Sequence, residues 1–187
     1  DGRSSARAQQ IAAALDASGV RAQAQTDIRS HEWSKFVAWV AFMALSILTR
    51  ASTWQFLCTP QSALVMARLL REVGSLAQAC HVPLTDETMI PVASLCSGTE
   101  AAAVATLLRF GEEFRANAPR HRVSTLQDLE AGRPMELEET LGYAVNNAAA
   151  LGLSLPLLES VYQIAVAIDA TPQSRVRVNT GIIRPRT

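Results

Sequence analysis

The chain is 187 residues long, 49% apolar and 18% charged. That is enough hydrophobic material for one packed domain, or for one domain and part of another, and it excludes global disorder. Basic and acidic residues balance at 17 each, which argues against a nucleic-acid partner or a membrane surface, since both rely on an excess of Lys and Arg.

Residues 4–17 carry Ala8, Ile11, Ala12 and Leu15 on one helical side, with good helix formers between them and Gly19 as the stop. Residues 20–25 then alternate, Val20, Ala22 and Ala24 against Arg21, Gln23 and Gln25, which is a modest strand signal. No later segment supplies a partner strand, and a lone strand cannot satisfy its own backbone. The segment therefore reads as the end of a sheet whose other strands lie upstream or in another chain. The chain opens on Asp1 and Gly2 without a leader pattern, as expected of a piece cut from something longer.

The dominant element spans 29–50. Trp33, Phe36, Val37, Val40, Ala41, Ala44, Leu45 and Leu48 recur at helical spacing, and the other side carries Trp39, Phe42 and Met43. A helix apolar nearly all round belongs inside a core. Its unbroken apolar run, 36–45, falls well short of the roughly 20 residues a bilayer crossing needs. Lys35 stands just before that run, where a lysine either snorkels to water or is held for chemistry.

A loop over 51–59 is expected next, with Trp54 and Phe56 exposed or at an interface. Thr59 and Pro60 start a helix with Leu64, Val65, Leu69, Val73, Leu76 and Ala77 on its apolar face. Thr85, Asp86 and Glu87 predict a short helix that Pro91 bends or ends. Further helices are predicted over 100–118, over 125–131 with Ser124 and Gln127 as a capping box, over 136–151 and over 156–167. The tail, 171–187, holds Arg175, Arg177, Arg184 and Arg186 and reads as a solvated terminus.

Cys58, Cys80 and Cys96 are widely spaced and odd in number, the pattern of reduced thiols in a cytoplasmic protein. Neither they nor His31, His81 and His121 have metal-ligand spacing. No phosphate-cradling glycine loop, GxSxG or HExxH occurs.

Several residues together are more specific. Trp33-x-Lys35-Phe36, the block S-T-L-Q-D-L-E-A-G-R-P-M-E-L-E from Ser124 to Glu138, Gly142, and A-L-G-L-S-L-P from Ala150 to Pro156 resemble the C-terminal domain of ketopantoate reductases (2-dehydropantoate 2-reductases). The resemblance covers about 28–170. It implies an all-α substrate and dimerisation domain of the 6-phosphogluconate dehydrogenase C-terminal type. Residues 1–27 then correspond to the closing helix and strand of an N-terminal Rossmann domain, and 171–187 to a basic tail. It also implies a cytoplasmic, NADPH-dependent reductase of a small 2-keto acid in pantothenate biosynthesis. The cofactor would be bound mainly by the N-terminal domain, and a homodimer could form through the helical one.

By the same resemblance, Lys35 matches the catalytic lysine that stabilises and protonates the developing alkoxide. Ser124 matches a substrate-binding hydroxyl, and Glu136 a carboxylate that holds the substrate hydroxyl and helps place the lysine. Family members commonly carry asparagines four and eight residues after the lysine, where this chain has Trp39 and Met43. That wall is larger and drier, so three readings stay open: a more apolar 2-keto acid substrate, another dehydrogenase of the superfamily, or a decayed paralogue kept as a helical interaction module.

Overall fold

The computed structural model describes residues 5–171, and the basic tail expected beyond them lies outside the described residues. Helix α1 (Ala6–Ala17) is capped by Ser5 and ended by Gly19 at φ +89°. None of its residues is buried, and Ile11 and Leu15 are exposed. Residues 20–25 form no strand, and no strand occurs among the described residues. The alternation is present in the sequence, but no neighbouring strand accepts its backbone groups.

Helix α2 (Ile28–Thr49) is the axis of the remainder. The Asp27 carboxylate accepts from the Ser30 N–H at 3.3 Å, and Arg50 ends the helix in the left-handed region. By length and composition α2 could cross a bilayer, yet most of its apolar stretch is packed inside the other helices. From Val40 to Ile47 every residue is buried.

Helices α4 (Pro60–Ala79) and α9 (Pro156–Ala170) lie along α2. Helix α6 (Glu100–Asn117) packs on α4 and on the five-residue helix α3 (Thr53–Leu57). Residues 53–57 are thus helical where a loop was expected, and Phe56 is core, edge-on to Phe42 with centroids 5.9 Å apart. Trp54 is half-buried, its indole N–H donating to the Pro119 carbonyl at 3.1 Å. Gly111 on α6 permits the close approach of the end of α3. A Cβ there would lie 2.8 Å from Cys58 Sγ and 2.9 Å from the Cys58 backbone N, so any side chain would push α3 away.

The predicted helix start at Thr85 does not form. Residues 82–91 are irregular, and helix α5 (Val92–Ser97) follows Pro91 instead of being ended by it. Asp86 and Ser34 act as acceptors instead: the Ser94 N–H donates to the Asp86 carboxylate at 2.9 Å, and the Thr85 N–H donates to the Ser34 hydroxyl at 2.8 Å. The second bond, with Ser30 donating to the Pro83 carbonyl at 2.5 Å, ties this loop to α2.

Helix α7 (Ser124–Glu130) begins one residue earlier than expected. Val123 is its N-cap residue, and no capping box forms. After Gly132, at φ +66°, the chain enters a π-helical turn (Glu138–Gly142) and then α8 (Tyr143–Ala150), closed by Gly152 at φ +70°. The N-terminus of α9 is held from α4: the Leu157 and Leu158 N–H groups donate to the Glu72 carboxylate at 3.1 and 2.9 Å.

Candidate functional site

Helix α2 emerges from the core at its N-terminal end. There His31, Lys35 and Trp39, each four residues from the next, form one stripe with Ala38 and Phe42 beside it. This stripe is one wall of a cleft of about 670 Å³. The loop residues Glu87, Thr88 and Met89 form a second wall, and His121, Arg122, Val123, Ser124 and Gln127 a third. Its size and mainly apolar walls with a few polar groups suit a small-molecule ligand.

The polar groups of the cleft differ in what they have left to give. His31 Nε2 is 3.3 Å from the Glu87 carboxylate, and Nδ1 is 3.0 Å from the Asp27 carbonyl. The Asp27 carbonyl is the largest cause that holds the His31 imidazole above its ordinary pKa; burial opposes it, and the Glu87 carboxylate adds to the upward pull. Arg122 is paired with Glu130 at 2.5 Å, and the Gln127 amide donates to the Arg122 carbonyl at 3.0 Å. The Thr88 hydroxyl donates to the Ile90 carbonyl at 2.8 Å, and His121 Nδ1 lies 2.8 Å from the Thr53 hydroxyl.

Lys35 and Ser124 remain. Both are exposed into the cleft, and neither side chain has a hydrogen-bond or ion-pair partner among the described residues. Ser124 is free because Val123, not Ser124, occupies the cap position. The cleft thus offers one unpaired ammonium and one unpaired hydroxyl beside an apolar wall, which suits a small organic anion with an oxygen to be polarised.

Of the residues singled out in the sequence, the structure brings Lys35, Ser124 and Trp39 to one cleft and leaves two elsewhere. Met43 is buried in the core at 1% exposure, one turn beyond Trp39 and outside the cleft lining. Glu136 is not in the first turn of a helix. It sits at φ +51° between the buried Met135 and Leu137, is itself exposed, and lines a separate hollow of about 310 Å³ with Glu138, Glu139 and Asp169. The expected convergence of Glu136 on Lys35 and Ser124 is therefore absent from this arrangement.

The periodicity of α2 could have yielded His31, one turn before Lys35, as a cleft residue. Met89, His121 and Arg122 come from irregular segments and carry no such signal. Among the described residues no group of three or more His, Cys, Asp or Glu could hold a metal. The three cysteines are free, and burial pushes the Cys96 thiol up to about 11, with a smaller opposing pull from Arg71.

Residues 27–169 match the sequence family described as the C-terminal domain of ketopantoate reductase PanE/ApbA. No curated protein sequence matches the chain. Among solved structures, the chain is similar to a 2-dehydropantoate 2-reductase from Methylococcus capsulatus at 28% identity and a TM-score of 0.65, covering 88% of this chain and 47% of that one. A PanE/ApbA family ketopantoate reductase from Ralstonia eutropha shares its fold at 24% identity and a TM-score of 0.68, over 90% of this chain and 50% of that one. So does D-mandelate dehydrogenase in a ternary complex with NADH and anilino(oxo)acetate, at 15% identity and a TM-score of 0.70, over 88% and 61%. The chain spans about half the length of the two reductases.

Proposed function

The chain belongs to the ketopantoate reductase PanE/ApbA family through that family's C-terminal domain, and on this premise we propose that it is the substrate-binding half of an NADPH-dependent 2-oxo acid reductase. The observation that carries the proposal is the shared cleft of Lys35 and Ser124, an ammonium and a hydroxyl with no internal partner.

The described residues hold no sheet and no glycine-rich turn, so they do not fit a dinucleotide, and the cofactor is assigned to a separate domain. The chemistry such a cofactor supplies when bound is a hydride. This chain's part is the oxygen end of the substrate. As the carbonyl π bond breaks and negative charge develops on oxygen, the Lys35 ammonium stabilises it and gives up a proton, leaving a 2-hydroxy acid. Being exposed, Lys35 regains its proton from water. The Ser124 hydroxyl, free of any capping duty, donates to the substrate carboxylate and fixes its orientation. Trp39 lines the same cleft and offers its indole to the rest of the substrate. Glu136 and Met43 have no contact with the ligand in this proposal, since neither lines the cleft.

The test is NADPH oxidation by the full-length protein against a panel of 2-oxo acids, with Lys35→Ala beside it. Turnover of at least one acid, falling about 100- to 10,000-fold in Lys35→Ala, is the expected result. Turnover retained in the variant rules out Lys35 as the proton donor. A flat response across the panel favours a helical interaction module instead.

A further inference from the structure

The cleft presents large apolar side chains from two separate elements. Trp39 is 42% exposed and Met89 56%, and both line the cleft from different elements. Phe42 and Ala38 lie in the floor between them and are almost wholly buried. The polar groups on this side are already engaged: His31 with Glu87, and Thr88 with the Ile90 carbonyl. A substrate hydroxyl laid against the indole face of Trp39 or the Met89 thioether would lose water for no hydrogen bond there, whereas a ring or branched chain would cover both exposed side chains. Indole faces and thioethers both make favourable contacts with aromatic rings beyond simple area burial.

Resting on the reductase reading for its oxo acid end, we infer that the substrate bears a large apolar group, an aromatic ring above all, seated against Trp39, Phe42 and Met89. Trp39 and Met89 are its specificity determinants. Lys35 and Ser124 take the carbonyl and carboxylate at one end, and the apolar wall takes the rest.

The experiment compares phenylpyruvate and phenylglyoxylate with pyruvate and ketopantoate as substrates of the full-length protein. A direct binding measurement runs in parallel, by isothermal titration calorimetry with phenylglyoxylate. The aromatic acids are expected to be favoured in kcat/KM by about 10- to 100-fold, the range a hydrophobic pocket can supply. Trp39→Ala and Met89→Ala are each expected to cut the phenylpyruvate-to-pyruvate ratio about tenfold, chiefly through KM, while Trp39→Phe keeps most of the preference. If ketopantoate or pyruvate is reduced best and Trp39→Ala leaves the ratio unchanged, this inference falls and the reductase reading stands. If no acid is reduced but phenylglyoxylate binds in a Trp39-dependent way, the reductase reading falls and the apolar-acid site stands. Neither reduction nor Trp39-dependent binding overturns both.

Discussion

Thr53 and His121, 68 positions apart, are joined twice: the Thr53 N–H donates to the His121 carbonyl at 3.1 Å, and the Thr53 hydroxyl lies 2.8 Å from His121 Nδ1. Thr53 is fully buried at the start of α3, and the His121 ring leans on Phe114 with centroids 5.2 Å apart. Since His121 is only three residues before Ser124, this double tie fixes the approach to α7 and so sets Ser124 across the cleft from Lys35.

Thr53→Val keeps the branched shape and the backbone bond but removes the hydroxyl. His121 is exposed and can turn to water, so the loss is that of one ordinary hydrogen bond, about 1 kcal/mol. Urea unfolding should show the midpoint lowered with an unchanged m-value. In the full-length protein the looser approach to Ser124 should raise KM more than it lowers kcat.

The lip of the cleft responds to pH through His31. Its folded-state pKa is raised, so the contribution of the charged ring is fully present below the ordinary value of 6.5 and is lost as pH rises through the higher folded value. An NMR titration of the His31 ring should give a midpoint above 6.5. Glu87→Gln should bring the midpoint down without abolishing the upward pull, because the Asp27 carbonyl is the larger cause and stays in place. A midpoint unmoved by Glu87→Gln would mean that the pair across the lip does not hold in solution.

The elements legible in the sequence are those whose signals are local. Helices α2, α4, α6 and α9 follow from apolar periodicity over three turns or more, and Gly19 and Gly152 stop helices at positive φ. What was not legible depends on contacts distant along the chain. Helix α3 is five residues long, too short to show a period, and is recognisable only from Phe56 packing on Phe42. Asp86 looks like the start of a helix but caps the turn around Ser94, and Glu72 reaches 85 residues along the chain to hold the start of α9. At the site, Lys35 stands out by its place at the edge of the apolar run of α2, whereas its role and those of Trp39 and Ser124 rest on the family resemblance. Glu136 was displaced from the expected cluster because its two neighbours are drawn into the core. Met89 and His121 come from loops, whose positions no spacing rule encodes.

Ser124 separates a structural from a functional role most cleanly. A serine that caps its helix costs about 1 kcal/mol when replaced by alanine, because an orphan N–H loses its acceptor. Here Val123 holds the cap position, no side-chain cap bond forms, and the Ser124 hydroxyl faces the cleft. Ser124→Ala should therefore change stability by less than about 0.5 kcal/mol, the range of an uninvolved surface position. In the full-length protein, loss of a hydrogen bond to a charged carboxylate, worth about 1.5–3 kcal/mol, corresponds to roughly a 10- to 150-fold fall in kcat/KM. The two measurements pull apart only if the hydroxyl belongs to the ligand. A stability loss near 1 kcal/mol with unchanged kinetics would return Ser124 to the helix, and with it half of the polar pair on which the cleft's chemistry rests.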